Sequence, residues 1–173
     1  MDAKIKKYLE SEKIKFQLVA HRKVYTAFNS AETQHVKTNE VTKTVLAKLS
    51  NGDFILVCVP AGKRVDLKKI AKSINDQALK NYKLLVKKDP KTKRPKTITA
   101  KLASEKNILS VLKTKVGLIS PFSQVYGLTL LFDNKLAKNK NILISAGSYT
   151  ESLKLTTTDF LKRMVGIKGN FTQ

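Results

Sequence analysis

The stretch "KTVLAKLSNGDFILVCVP", residues 43–60, decides the fold of this chain. Two runs of mainly apolar residues flank Asn51-Gly52, a dipeptide that favours the tight turn of a β-hairpin. We therefore predict two paired strands here. Cys58 lies inside the apolar run "FILVCVP", so we expect it to be buried in the second strand.

Shorter runs on both sides of this hairpin predict a mixture of strands and helices. Further strands are expected at residues 16–20, 128–133 and 141–147. Capping residues followed by apolar positions at helical spacing predict helices. The expected helix starts are Asp2, Asn29 or Ser30, Asp66, Ser104, and Thr158 or Asp159. Because these helices do not alternate regularly with the strands, we predict an α+β fold rather than a doubly wound α/β sheet.

The charge of the chain is far from balanced. Thirty-four lysine and arginine residues stand against thirteen acidic ones in 173 residues, which gives a formal net charge of +21. Such an excess favours a polyanionic partner, nucleic acid first and an anionic membrane second. A lysine-biased proteome is the alternative explanation, because only four of the basic residues are arginines.

The length of the chain suits one domain with a real hydrophobic core, and no linker divides the chain into two domains.

Residues 78–100 carry the densest positive charge, and we call this segment the basic insert. It holds eight lysine and arginine residues against one acid, Asp89, and Pro90 and Pro95 interrupt it. Prolines break regular structure, so a protruding loop or hairpin is predicted. Four lysines near its centre are the candidates for contacts to nucleic-acid phosphates: Lys87, Lys88, Lys91 and Lys93.

Most common catalytic chemistries have no support in this sequence. The two histidines, His21 and His35, lack metal-ligand spacing, so neither a metal nor a cofactor is expected. There is no P-loop, dinucleotide fingerprint or Gly-x-Ser-x-Gly turn. Cys58 is the only cysteine, and no apolar run reaches membrane-spanning length. Both observations indicate a cytosolic protein in a reducing compartment.

One neutral loop interrupts the basic character of the chain. After Lys115 no lysine or arginine occurs until Lys135, and the interval begins with a Gly-x-x-x-Pro pattern from Gly117 to Pro121. Glycine lets a backbone approach a ligand closely, and proline stiffens the loop. The loop either forms one wall of a ligand-binding site or is an ordinary turn between a helix and a strand.

Six segments, in this order, resemble the YbaK/prolyl-tRNA synthetase-associated domain family of aminoacyl-tRNA deacylases. They cover residues 21–32, 41–49, 59–71, 117–122, 132–136 and 144–161. The resemblance implies a mixed, mostly antiparallel, barrel-like sheet with flanking helices, in a single domain that spans residues 1–173. The basic insert is the one departure from the family's compact form.

The resemblance also implies an activity, which is hydrolysis of the ester that joins an amino acid to the 3′ end of a mischarged tRNA. Backbone N–H groups of the neutral loop would stabilise the oxyanion, and a terminal ribose hydroxyl of the substrate would help to activate water. Lys43 would anchor the terminal phosphate or polarise the substrate. The expected catalytic residues are Lys43, Gly117, Ser120 and Pro121. The expected substrate-binding residues are His21, Thr26, Phe28, Thr44, Phe122, Ser145, Gly147 and Ser148.

The expected partners are aminoacyl-tRNA and, as a further option, an aminoacyl-tRNA synthetase. Two other hypotheses remain open. The chain could be an editing domain taken from a larger prolyl-tRNA synthetase, or a non-catalytic RNA-binding or synthetase-associated module. His21, taken by itself, is more often a packed or surface histidine than a ligand-binding one.

Overall fold

A computed structural model describes all residues from 1 to 173. The strands, in chain order, are β1 (Gln17–Ala20), β2 (Thr42–Leu49), β3 (Phe54–Pro60), β4 (Ala100–Leu102), β5 (Leu130–Asp133), β6 (Asn141–Ser145), β7 (Glu151–Thr156) and β8 (Gly166–Gly169). The helices are α1 (Ala3–Ser11), α2 (Ala27–Thr33), α3 (Leu67–Val86), α4 (Glu105–Leu112), α5 (Asn134–Ala137) and α6 (Thr157–Arg163). A short 3₁₀ turn covers Ser123–Tyr126.

The predicted hairpin is confirmed. Strands β2 and β3 pair antiparallel from Thr42 opposite Pro60 to Lys48 opposite Phe54. Gly52 in the connecting turn has a φ of +97°, which a residue with a Cβ rarely adopts. The turn dipeptide therefore places the two longest strands of the protein side by side.

These two strands lie at the centre of a five-stranded sheet, in the order β4-β2-β3-β5-β8. Strand β5 runs parallel to both β3 and β8, whereas the other pairs are antiparallel. A second, antiparallel sheet has the order β1-β7-β6. The α+β class and the mixed, mostly antiparallel pairing are confirmed. The strands form two sheets that meet at one edge and do not close into a barrel.

The larger sheet is buried on both faces. One face packs with the second sheet and with α1, α4 and α6 around Phe132, Ile144 and Leu153. The other face, with Val57 and Val59, packs against Ile70 of α3. Burial on both faces explains why the sequence of β3 is continuously apolar instead of alternating.

Two predicted helix starts were wrong by a few residues. Helix α2 begins at Ala27, because the Thr26 hydroxyl accepts a hydrogen bond from the N–H of Asn29. Helix α6 begins at Thr157, because Thr156 caps it in the same way through Asp159. In both places an earlier threonine caps the helix, and the residue that we had taken as the cap lies in its first turns.

The basic insert is not a loop or hairpin over its whole length, and that prediction was wrong. Helix α3 continues through its first part as far as Val86, since nothing before Pro90 breaks a helix. Residues 87–99 then form an irregular segment, which leads into β4. None of the helices, including this long one, is long and apolar enough to cross a membrane.

Candidate functional site

A cavity of about 230 Å³ opens where the two sheets separate. A parallel bridge between Val41 and Leu143 joins the sheets at one point, and β4 pairs with β2 only from Ala47 onward. The edge of β2 between these two points therefore has no neighbouring strand. This free edge, residues 42–45, forms one wall of the cavity, and residues 144–145 of β6 contribute to another.

Lys43 is the only lysine that lines the cavity. Its Nζ donates hydrogen bonds to the carbonyl oxygens of Ala61, at 3.5 Å, and of Lys63. No carboxylate forms an ion pair with it. Burial, followed by the positive charge of Arg64, lowers the pKa of the Lys43 ammonium. A cation without a counter-ion in a partly desolvated place is suited to hold an anionic group.

The hydroxyls of Thr42 and Thr44 lie below this lysine, on the buried side of the strand. Both are buried without an oxygen or nitrogen partner and approach only the thiol of Cys58, which is opposite Thr44 in the register of β2 and β3. Burial raises the pKa of the Cys58 thiol to about 12. The thiol is therefore neutral, and the cavity has no thiolate nucleophile.

Gly117 closes the cavity from the side of the neutral loop. Its φ is +84°, and a Cβ at this position would lie 2.5 Å from the carbonyl oxygen of Tyr25. Only glycine therefore lets the loop pack against the segment that precedes α2. The N–H groups of Gly117 and Ile119 have no acceptor within the protein, and both residues line the cavity.

His21 and Ser152 form a polar wall of the same cavity. His21 Nε2 lies 3.0 Å from Ser152 Oγ, and His21 Nδ1 lies 2.8 Å from the carbonyl oxygen of Arg22. The side-chain amide of Gln34 donates to Ser152 Oγ at 3.3 Å and to Ser30 Oγ at 2.6 Å. The four side chains form one connected hydrogen-bond network.

The structure brings seven of the twelve predicted catalytic and substrate-binding residues into this cavity. They are His21, Thr26, Lys43, Thr44, Gly117, Ser145 and Ser148. They come from β1, α2, β2, β6 and the loops beside them, and the meeting of the two sheets gathers them. Their roles remain predictions.

The second half of the Gly-x-x-x-Pro loop does not line the cavity. Ser120, Pro121 and Phe122 are buried, and the Phe122 ring packs against Tyr8 and Phe160 at centroid distances of 5.3 and 5.6 Å. The aromatic contacts draw this half of the loop into the core. None of these three residues is part of the cavity wall.

Two further predicted residues also lie elsewhere. Phe28 is on an exposed face of α2, with 49% of its surface accessible. Gly147 packs against Asp2 and Ile5 at the start of α1, where a Cβ would meet Asp2 Cβ at 2.6 Å. Its role is to allow close packing of α1, which explains why a glycine is needed there.

Sequence reasoning missed several residues that line the cavity. Ser152 and Glu151 lie on β7, and Glu151 is the only carboxylate in the wall; it contacts the amino group of Met1. Tyr25, at the rim, packs against Tyr149 with ring centroids 4.9 Å apart. No local motif marks these positions, because each becomes part of the site only through strand pairing.

The lysines of the basic insert do not line this cavity. The end of the insert is attached to Ser50, at the other end of β2, by hydrogen bonds of 3.0 Å with Thr99. Lys87, Lys88, Lys91 and Lys93 are exposed and pair with no carboxylate. Any contact that they make to a ligand is separate from the cavity.

Comparison with solved structures shows the same fold in other proteins. The hypothetical protein APE2540 aligns over 98% of this chain and 99% of its own, with 16% identity and a TM-score of 0.74. A proposed trans-editing enzyme for prolyl tRNA synthetase aligns over 100% of this chain and 99% of its own, with 13% identity and a TM-score of 0.74. A search of curated protein sequences finds no significant match.

The family profile of the aminoacyl-tRNA editing domain matches residues 21–83 and 92–163. The match includes every residue that lines the cavity, from His21 to Ser152. The unmatched interval, residues 84–91, lies inside the basic insert. This chain therefore belongs to the aminoacyl-tRNA editing domain family.

Proposed function

We propose that this protein hydrolyses the ester bond of mischarged aminoacyl-tRNA, acting in trans in the cytosol. The observation that carries the proposal is the composition of the cavity. Lys43, a cation without a counter-ion, lines the same cavity as Gly117 and Ile119, whose N–H groups have no acceptor within the protein. An ester with a nearby phosphate and a developing oxyanion needs such a combination of groups.

Lys43 would hold the anionic end of the substrate. An ammonium is a compact point charge that binds a phosphate without requiring bidentate geometry. Because the carbonyl oxygens of Ala61 and Lys63 hold the Nζ atom in place, little reorganisation is needed when the anion arrives. The N–H groups of Gly117 and Ile119 would then stabilise the oxyanion that forms at the ester carbon.

The cavity should select small acyl groups. Its volume is about 230 Å³, and Val24, Val45 and Ile119 supply much of its apolar lining. We therefore expect alanyl, seryl, threonyl or cysteinyl esters to react faster than esters of large amino acids. One methylene group changes binding by only about 1–3 kcal/mol, so part of the selectivity must come from the tRNA.

The test is deacylation of a panel of aminoacylated tRNAs under single-turnover conditions. We expect hydrolysis of esters of small amino acids and at least a tenfold slower reaction for leucyl and phenylalanyl esters, from about 1–3 kcal/mol of steric discrimination. Lys43→Met serves as the inactive reference. The proposal would be contradicted if the wild-type protein hydrolysed every ester no faster than this variant does.

A second candidate is a non-catalytic RNA-binding module, which the net charge of +21 favours. It predicts tight, salt-sensitive binding of tRNA without ester hydrolysis. The same panel decides between the two candidates when tRNA binding is measured together with deacylation. Contacts of the insert lysines to tRNA are expected under either candidate.

A further inference from the structure

The mouth of the cavity carries an exposed aromatic ring. Ten large apolar side chains stay exposed in this protein, and only Tyr25 and Val116 among them line the cavity. Tyr25 has 58% of its surface accessible, and it is the one tyrosine or phenylalanine in the cavity wall. Scattered exposed apolar residues need no explanation. A ring at the entrance of a cavity is different, because it offers a flat apolar face to whatever enters.

The backbone on both sides of this ring is fixed. The N–H of Val24 donates a hydrogen bond to the carbonyl oxygen of Tyr149 at 2.9 Å, and Thr26 caps helix α2. The carbonyl oxygen of Tyr25 packs against Gly117, where a Cβ would lie 2.5 Å from it. Because the segment is already held in place, a ligand that contacts the ring pays little for ordering it.

A second tyrosine supports the ring from the side. The rings of Tyr149 and Tyr25 have centroids 4.9 Å apart and planes inclined by 57°. The Tyr149 hydroxyl donates a hydrogen bond to the carbonyl oxygen of Val116 at 3.3 Å. The two tyrosines therefore connect the segment before α2 with the neutral loop. Since the rings are inclined and not stacked face to face, much of the Tyr25 ring stays uncovered.

The charge beside the ring is positive. Lys23 Nζ lies 5.4 Å from the centroid of the Tyr25 ring, and Lys23 forms no ion pair with a carboxylate. A cation–π contact at an exposed site is weak, so a flat ligand can displace the ammonium from the ring. The ammonium then stays near enough to bind an anionic group of that ligand. A π-system that is attached to a phosphate, as in a nucleotide, fits this arrangement.

We propose that Tyr25 is a stacking platform for the terminal nucleobase at the 3′ end of the RNA. That this end carries an ester rests on the proposed deacylase function, but stacking of the base does not. With a small acyl group in the cavity of about 230 Å³, the base of the same nucleotide is left at the mouth, where the ring lies. Every base has a π-face, so such a platform recognises the presence of a base and not its identity.

This contact positions the substrate and takes no part in the chemistry. The base is the same in the ester and in the transition state, so stacking stabilises both to a similar extent. Binding energy of this kind increases the affinity for the RNA and leaves the maximal rate nearly unchanged. Tyr25 is therefore a positioning residue, in contrast to Lys43 and Gly117.

The direct test measures the Kd of two unacylated hairpin RNAs, whose 3′ overhangs end in adenosine or in an abasic ribose. Wild type and Tyr25→Phe should bind the adenosine-ended RNA at least about fivefold more tightly, the low end of base–aromatic stacking. Tyr25→Leu should bind both RNAs with the affinity that wild type has for the abasic one. Phe16→Leu, at an exposed aromatic residue outside the cavity, is the matched control and should keep the wild-type ratio.

These four affinities separate stacking from a structural role. If Tyr25 only supports the neutral loop, Tyr25→Leu weakens the binding of both RNAs alike and the ratio between them persists. That result overturns the inference. If the ring packs against the acyl group instead of a base, the wild-type protein binds the two unacylated RNAs equally. This result overturns it as well.

A second arm uses the aminoacyl-tRNA on which the wild-type protein is most active. Tyr25→Leu should raise the protein concentration for half-maximal single-turnover rate at least about fivefold, and the rate at saturation should stay within about threefold of wild type. A preference for the adenosine-ended RNA without hydrolysis of any ester refutes the deacylase function and leaves the platform standing. Hydrolysis with equal binding of the two hairpins overturns the platform and leaves the function standing.

Discussion

The two ends of strand β2 show how differently this protein uses positive charge. At the first end, Lys43 is a partly buried cation beside a neutral loop. At the other end, beyond Ser50, the basic insert presents many exposed lysines on an irregular backbone. The two ends are about 23 Å apart at the usual rise of a strand. One partly buried charge acts strongly because fewer water molecules screen it, whereas each exposed charge acts weakly and several are needed for a comparable effect.

Removal of the partly buried charge of Lys43 should have the largest effect. Lys43→Met keeps the aliphatic stem of the side chain and deletes the ammonium. We expect the single-turnover deacylation rate to fall on the order of 10³-fold, the scale seen when a preorganised electrostatic contact to a transition state is lost. The free energy of unfolding should change little, since the lysine has no ion-pair partner to lose.

Lys48→Met, on the same strand, is the matched control for this variant. Lys48 lies over the Phe54 ring at 5.7 Å and does not line the cavity. It should retain the wild-type rate. Equal deacylation rates for Lys43→Met and Lys48→Met would show that a lysine in the cavity matters no more to the reaction than a lysine outside it.

Gly117→Ala should have the next largest effect. The new Cβ would lie 2.5 Å from the Tyr25 carbonyl oxygen, so the loop must move away from the cavity wall. Loss of one well-placed backbone donor lowers the maximal rate roughly 100-fold or more. Single-turnover rates at saturating protein, measured together with the Kd for tRNA, separate this loss from a loss of binding.

Gly52→Ala provides the comparison for backbone strain. Gly52 has a similar φ, +97°, but a Cβ there has open space around it. Both substitutions should cost stability on the order of 1–2 kcal/mol because of the left-handed backbone, and only Gly117→Ala should slow the reaction. If both variants react like wild type, Gly117 is an ordinary turn residue.

Neutralisation of the insert should weaken binding and leave the chemistry unchanged. Substitution of Lys87, Lys88, Lys91 and Lys93 by glutamine should lower the slope of log K against log salt concentration by roughly 0.7–0.9 for each lost phosphate contact. The rate on saturating tRNA should change less than about twofold, since these lysines touch none of the reacting atoms. Filter binding at several salt concentrations measures the slope.

The charge-matched control replaces four exposed lysines outside the insert, namely Lys138, Lys140, Lys154 and Lys162. A contact specific to the insert predicts a much smaller change in salt slope for this variant. Equal slopes for the two variants would mean that tRNA responds only to the net charge of the protein.

The smallest effect concerns the strand beneath the cavity. Cys58 is fully buried, and burial raises the pKa of its thiol to about 12. The folded protein should therefore resist alkylation by iodoacetamide at pH 8, and the denatured protein should react fully. Rapid alkylation under native conditions would show that water reaches the cavity floor, which would weaken the electrostatic distinction between the two ends of β2.

Features that depend on neighbouring residues could be predicted from the sequence. Asn51-Gly52 and the apolar runs beside it specified the central hairpin, and the caps at Asp66 and Ser104 start helices as expected. Predictions failed where two neighbouring residues competed for one role. Thr26 caps α2 in place of Asn29 or Ser30, because a capping hydroxyl can be chosen only when the path of the preceding chain is known.

The same distinction between local and distant contacts applies to the residues of the candidate site. Lys43 was identified through the family resemblance and Gly117 through the neutral Gly-x-x-x-Pro pattern. Phe28 and Phe122 were predicted to bind substrate, but one is exposed and the other is in the core. Ser152 could not be found at all, because nothing near it in the chain distinguishes it from other strand serines. It joins the cavity wall through strand pairing and contacts His21, 131 residues away.

The sequence by itself determined the α+β class, the central hairpin, the excess of positive charge and the neutral glycine loop. Each of these follows from the local residue pattern or from the composition. Only the tertiary structure decided that the sheets separate beyond the contact of Val41 with Leu143, and that a cavity lies there. The reason is physical: local propensities act over a few residues, while a cavity exists only where packing of distant strands leaves an edge uncovered.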